Sequence, residues 1–441
     1  MIYRILIQPL IFLSCIYFYF FQNFANAIDI KKWQTNDGME VYYVKTQGLP
    51  IVDISLNFKS GSIDNPKTKA GIAEFTQELL ITGNQNYSEG AVAKLLADNG
   101  AQLSGNVNKD FTNFSLRVIY EQEILNNVTD LWINLLTKPK FSAKILNREI
   151  KRAVAAYRES LTEPSTVAYQ EFIKAIYPNH PYGFLADDKS YQQIKTDDLR
   201  TFYQQHYHPE NAIIAFVGEI SFDEAKQISN KISVELTKSN AKVKFSANKY
   251  DDPKSTKHLV INKEFDSKQT HIYLGMPFIK RGDPDFFPLL VGNYILGGGG
   301  FASRLVEIIR EENGLAYSVY STFSLHKFRG AFEINMQTQA KNTENALELI
   351  YSTIDDFIAN GITPDELEKA KSFLQGSFPL RLDSNAKMIR LVAMVGIYNL
   401  PLDYLNNWVD KIAKVTADDI KSAFMRNFDK EQMVVVIVGP K

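Results

Sequence analysis

The chain is written twice. Residues 194–218, IKTDDLRTFYQQHYHPENAIIAFVG, align with residues 415–439, VTADDIKSAFMRNFDKEQMVVVIVG, at a constant offset of 221. Asp197 and Asp198 meet Asp418 and Asp419, Tyr203 meets Phe424, and Val217-Gly218 meets Val438-Gly439. Each copy has the apolar period of a helix, then a continuous apolar strand that stops at Gly. A second match sets Asn99-Gly100-Ala101-Gln102-Leu103-Ser104 against Asn313-Gly314-Leu315-Ala316-Tyr317-Ser318 at an offset of 214. An alternating strand follows each copy, at 113–119 and 330–336, and one or two helices are then predicted within 122–177 and within 341–376. The offsets differ little, so insertions between the copies are small, and duplication of a domain of about 200 residues accounts for both matches. The expected fold is α+β: two tandem homologous domains, 28–238 and 258–441, each a mostly antiparallel sheet packed by helices. The polar stretch 239–257, with a single Pro253, reads as the linker.

Composition removes several classes of function. The chain has 441 residues, 45% hydrophobic and 22% charged, with a net charge of −1. A low net charge with ample apolar residues excludes a disordered chain, and the missing basic excess argues against nucleic acid as a partner. One Cys and six His cannot build a cysteine-based zinc site, an iron–sulfur cluster or a disulfide framework.

Residues 1–27 read as an export signal. Arg4 supplies the positive region, an apolar stretch runs from Ile5 to Phe21 around Gln8 and Pro9, and Ala25-Asn26-Ala27 gives a small-x-small cleavage site. The uninterrupted apolar run from Leu10 to Phe21 is short for a membrane anchor, which takes roughly 20 residues. Cys15 lies inside that run, a poor position for lipidation. Cleavage after Ala27 leaves a chain without cysteine and without a later segment apolar enough to span a membrane. An exported, periplasmic protein is expected.

The segment Gly71-Ile72-Ala73-Glu74-Phe75-Thr76-Gln77-Glu78-Leu79-Leu80 has a helical pattern with Ile72, Phe75 and Leu79 on one apolar stripe. Glu74 and Glu78, four apart, share the other face, either as a solvated side or as a carboxylate pair. With the framing Gly61-Ser62-Ile63-Asp64-Asn65-Pro66, the segment resembles the signature helix of the pitrilysin/insulinase family of zinc metallopeptidases, the inverzincins. Their H-x-x-E-H motif supplies two zinc ligands and a general base. In register, Glu74 replaces the first His, Gln77 the base and Glu78 the second His. Catalytic zinc favours imidazole nitrogens, and an amide cannot take a proton from water near neutral pH. The resemblance places a third ligand at a downstream Glu before a Pro, for which Glu159 ahead of Pro164 is the nearest candidate. His206 and His208 meet Asn427 and Asp429 in the repeat, so the shared fold does not require the pair, and a structural role is expected for them and for His180.

The second half carries Gly297-Gly298-Gly299-Gly300, then Ser303-Arg304-Leu305, then Arg310 and Tyr317 seven residues apart. This run resembles the family's glycine loop, its helix start and its paired Arg and Tyr. The resemblance implies that Arg310 helps bind substrate and that Tyr317 helps stabilise the tetrahedral intermediate. A phenol donor and a fixed cation suit a developing oxyanion. It also implies substrate contacts from Gly297, Gly298, Gly299, Gly300 and Arg304. The glycine loop is similar to a shortened form of the one in the non-catalytic subunit of the mitochondrial processing peptidase. No Gly-Lys-Ser/Thr follows it, so it is not a nucleotide loop. Leu96 and Leu103 stand where the first half would carry Arg310 and Tyr317, so the fold itself does not demand the polar pair. The resemblance therefore implies a non-catalytic subunit with no metal of its own. Its partner would be a homologous chain with an intact zinc motif, and its substrate a peptide. A scaffold or peptide-binding module without a catalytic part, and an autonomous peptidase with an atypical metal site, are the alternatives.

Overall fold

The computed structural model describes residues 27–240 and 243–441. The leader assigned to 1–27 lies, Ala27 apart, outside the described residues. The first half contains β1 (Lys31–Gln34), β2 (Glu40–Lys45), β3 (Ile51–Phe58), α1 (Ile72–Thr82), α2 (Glu89–Asp98), β4 (Gln102–Val107) and β5 (Thr112–Ile119). It continues with α3 (Gln122–Thr137), α4 (Ala143–Ser160), α5 (Pro164–Ile176), α6 (Asp188–Gln193), α7 (Thr196–His206), β6 (Ala212–Gly218) and α8 (Phe222–Ser239). The second half has β7 (Leu259–Glu264), β8 (Thr270–Pro277), α9 (Phe286–Asn293), β9 (Ala316–Phe323), β10 (Ala331–Thr338), α10 (Thr343–Asn360) and α11 (Pro364–Ser377). It ends with α12 (Asn385–Ile397), α13 (Trp408–Lys414), α14 (Ala417–Asn427) and β11 (Val434–Gly439). Three helices, not one or two, fill 122–177, because Pro164 opens a new helix at its first turn.

The two sheets have the same plan. Their strand orders are β1-β2-β6-β3-β5-β4 and β7-β11-β8-β10-β9. β2 pairs with β6, and β7 with β11, in parallel; the other neighbours are antiparallel. The expected pair of α+β domains is thus present. The repeated sequence has a local cause. The second Asp of each doublet reaches back to its helix start: Asp198 accepts from the Lys195 N–H and Asp419 from the Thr416 N–H, each at 2.9 Å. That closes one exposed donor at each N-terminus.

Each sheet buries one face under helices of its own half and the other under a helix of the opposite half. Val167, Ala168 and Phe172 of α5 pack on Val434, Val436 and Val438 of β11. In return α12 packs on β2, β3 and β6, where Val392 and Ala393 meet the cluster of Tyr42, Val44, Ile213, Ala215 and Val217. Covering both faces explains why β6 and β11 read as continuous apolar runs. The segment between the halves is also packed. Asn248 and Tyr250 bond Asp64 of the first half at 2.7 and 2.9 Å, while Asp252 accepts from the Arg329 N–H of the second at 3.2 Å.

Asp110 fastens the halves together. Its buried carboxylate accepts from the Tyr182 hydroxyl, from the Tyr398 hydroxyl at 2.8 Å and from the Lys327 N–H at 2.8 Å, with His326 Nδ1 at 3.5 Å. Burial opposes its charge, but His326 and the two phenols outweigh it and hold the carboxyl below its ordinary range. Among the described residues no helix is long and apolar enough to cross a membrane.

Because each sheet borrows a helix, the halves are expected to unfold as one. Phe172, fully buried against β11, tests this: Phe172→Ala should cost about 3–5 kcal/mol in a denaturant titration. Residues 28–238 expressed alone should lack a cooperative transition; a sharply folding fragment would contradict the exchange.

Candidate functional site

The degenerate helix α1 is held at its start by Asn65. Asn65 Oδ1 accepts from the Ala73 N–H at 2.9 Å, and its Nδ2 donates to Glu74 Oε2 at 3.1 Å. Glu74 keeps contact with solvent although protein surrounds it. That enclosure raises its carboxyl, against the opposing pull of Asn65 and Lys109. Lys109 is lowered by burial to about 8, with Glu74 and Asp110 opposing.

Gln77 turns inward. It is buried, its Nε2 makes no hydrogen bond, and it lies over Gly105 of β4, where any Cβ would collide with it. Glu78 lies beside Glu149 of α4. Burial, then the charge of Glu149, lifts Glu78 to about 6. Glu149 goes the other way: burial opposes its charge, but Arg148 Nε at 2.5 Å and Arg152 Nη1 at 3.1 Å keep it ionised. Glu159 is exposed at the end of α4 and is not the carboxylate brought to Glu78; Glu149 is. Two carboxylates and a buried amide without imidazole do not fit catalytic zinc. Among the described residues no cluster of His, Cys, Asp and Glu could hold a metal.

The histidines serve the fold. His206 stacks near Phe202 with ring centroids 4.5 Å apart, and burial lowers it. His208 Nε2 meets the Gln204 carbonyl at 2.7 Å. His180 Nδ1 accepts from the Tyr182 N–H at 3.2 Å, and burial pushes it down to about 4.

The second half differs from the first at one edge. Asn99-Gly100 and Asn313-Gly314 end equivalent helical segments, with φ of +58° and +60° at the two glycines. After Gly100, Leu103 enters a regular ladder opposite Leu116 and packs on the cluster of Val92, Leu131 and Leu135. After Gly314, the ladder slips: Ala316 faces Thr338 and Ser318 faces Gln337. Tyr317 is the extra residue of a β-bulge, a device that re-aims a side chain. It stands 75% exposed. The Arg310 guanidinium sits 5.6 Å from its ring and 4.7 Å from that of Phe301, which is 71% exposed. Arg310 and Tyr317 are therefore brought together, as a stack presented outward with Phe301.

The glycine tetrad divides its work. Residues Tyr294–Gly298 and Val306–Glu312 form π-helical turns, which recur at functional sites. Gly297 is buried where a Cβ would collide with Ser321 of β9, whereas Gly298 and Gly300 are exposed; Gly299 is half-buried. Arg304, expected to touch substrate, has its donors taken by the fold: Glu366 at 2.6 and 2.8 Å, Asp356 at 3.1 Å and the Gly361 carbonyl at 2.9 Å. Glu74, Gln77 and Glu78 belong to α1, which packs on β4, α3, α4 and α7, while Arg310 belongs to a turn packed on β9 and α10. The structure keeps them in separate halves.

Residues 40–184 match the family described as insulinase (peptidase family M16), and residues 193–374 match the peptidase M16 inactive domain. The chain belongs to the M16 peptidase family. A solved peptidase M16 inactive domain from Pseudomonas fluorescens is 33% identical, with a TM-score of 0.88 over 94% of this chain and 99% of that one. The non-peptidase homolog YmxG of Helicobacter pylori is 27% identical over 91% of this chain and 92% of its own. The periplasmic protease PqqL of Escherichia coli shares the fold at 16% identity and a TM-score of 0.79; the match covers 94% of this chain and 46% of that one. With its motif positions replaced, this M16 member is an inactive-type peptidase homologue.

The Glu78–Glu149 contact gives a pH-dependent cost. A carboxyl raised in the fold favours its protonated form, so its ionised form destabilises above about pH 6, and the cost fades below that pH. Glu78→Gln should be more stable than the native chain by roughly 1 kcal/mol at pH 7.5, with the gap closing at pH 5, as read from denaturant midpoints.

Proposed function

We propose that this M16 homologue is the non-catalytic subunit of an exported heterodimeric zinc peptidase. It would present Arg310 and Tyr317 to a peptide bound at the zinc of a homologous partner with an intact H-x-x-E-H motif. The stack of Phe301, Arg310 and Tyr317 carries this reading. Large aromatic groups left in solvent around a cation are the pattern of a binding surface. The bulge that exposes Tyr317 is absent from the equivalent ladder of the first half, so it answers a need other than folding. Its phenol can donate to a developing oxyanion, and Arg310 can fix a carbonyl or carboxylate of the peptide. The exposed Gly298 and Gly300 leave room for a peptide backbone nearby. Zinc belongs to the partner because α1 offers no imidazole and no base. Export rests on the leader. That this fold fills about half of a longer periplasmic protease is consistent with a peptidase made of two such units.

The test is reconstitution. The chain alone should carry substoichiometric zinc and cleave no peptide. Mixed with a homologue bearing H-x-x-E-H, it should form a stable complex and restore cleavage. Tyr317→Phe should then lower kcat about 100-fold without weakening assembly. Full turnover in that variant would strip Tyr317 of its role and leave a scaffold.

A further inference from the structure

A polar face lies on the first sheet where an apolar one would be ordinary. Looking away from the helices of its own half, β3, β5 and β4 carry two uniform rows. Ser55 pairs with Ser115 and Ser115 with Ser104; Asn57 pairs with Asn113 and Asn113 with Asn106. Ser55 and Asn57 are buried. Buried polar groups are costly unless bonded, and these bond one another. Asn113 Nδ2 donates to Ser55 Oγ and to Asn57 Oδ1, both at 2.8 Å, and the Ser115 hydroxyl donates to Asn113 Oδ1 at 2.8 Å.

The rows form one wall of a cavity of about 580 Å³ between the halves, within the range of small-molecule sites. The second half supplies the opposite wall, including Arg281, Arg390 and Tyr398. Arg281 lies 5.2 Å from the Tyr398 ring, and its Nε is buried without a hydrogen-bond partner. Arg390 is exposed on α12 and forms no ion pair among the described residues. No Asp or Glu of the described residues lines the cavity. Asp110, close by through Tyr398 and His326, is already bonded by four donors.

The fold does not require this space. The register sets Tyr273 opposite Val436 as it sets Ser55 opposite Ala215, and Ala215 and Val436 are equivalent at the repeat offset of 221. The second sheet therefore puts a tyrosine where the first has a serine. Its comparable space, beside Tyr169, Tyr177 and Tyr182, is about 280 Å³.

We propose that this cavity binds a monosaccharide-sized sugar bearing a phosphate or carboxylate. The bonds within the rows use both amide donors of Asn57 and of Asn113, but Ser104 and Asn106 are exposed on the same wall, and their hydroxyl and amide supply the donors and acceptors that match sugar hydroxyl groups. The two arginines match an oxyanion, for which a guanidinium is the fitted donor. Rows and arginines come from different halves, so the ligand bridges the halves within one chain and needs no partner subunit.

Calorimetry on the whole mature protein tests this with glucose 6-phosphate, glucuronate, glucose and inorganic phosphate. One or both sugar acids should bind saturably at one site with Kd below about 1 mM. They should bind at least tenfold tighter than glucose or phosphate, and the tighter of the two identifies the acid. Ligand should raise Tm. Arg390→Ala, a change at an exposed position, should weaken binding about tenfold. Asn106→Val, on an edge strand that tolerates valine, should weaken the sugar acids and leave phosphate unchanged. No saturable binding of either sugar acid, phosphate binding as tightly as both, or an unchanged Kd in Arg390→Ala would each overturn the proposal.

Discussion

Neither half of this chain can cover its own sheet. Each sheet has two faces to bury, and each half supplies a full helical layer for only one. The remaining faces are closed by exchange, α5 onto β11 and α12 onto β6. Everything between the halves follows from that exchange. It fixes their separation, routes the connecting segment across both, and places Asp110 where four donors from two halves converge. A buried carboxylate is tolerated there because every donor it loses from water is replaced.

The exchange also explains how one duplicated plan yields two different surfaces. Several buried positions keep the repeat: Val217-Gly218 and Val438-Gly439, Tyr203 and Phe424. Positions at the free edges have diverged. At the first edge Leu103 continues a regular ladder; at the second a bulge throws Tyr317 into solvent beside Arg310 and Phe301. On the exchanged faces, serines and asparagines line one interdomain space, and tyrosines fill its counterpart. On α1 two of the three motif positions are tied into the fold instead. Gln77 is buried over Gly105, and Glu78 is absorbed into an ionic cluster with Glu149, Arg148 and Arg152.

Much of this was legible in the residues. The offset of 221 implied two like domains, and the strand orders match. The Glu74, Gln77 and Glu78 positions marked an altered motif, and Arg310 with Tyr317 marked a pair worth following. What stayed hidden was through-space chemistry. Glu159 reads as the candidate because a motif is counted along the chain, whereas the carboxylate beside Glu78, that of Glu149, is set by how α4 crosses α1. Arg304 reads as a free cation until Glu366 and Asp356, more than fifty residues on, are seen to hold it. His326 belongs to no motif along the chain, yet Asp110, 216 positions earlier, lies beside it.

The sequence by itself determined the two-domain plan, the helix and strand periods, and the absence of histidine from the helix at 72–82. These depend on residue type and short spacing, which local sterics and solvation enforce. Only the tertiary structure decided that the halves trade helices, that Tyr317 sits in a bulge, and that Ser and Asn rows face two arginines across a cavity. Register and interdomain contact depend on pairing between distant strands. A pattern of period two states which residues share a face, but it does not state which face of which neighbour they meet.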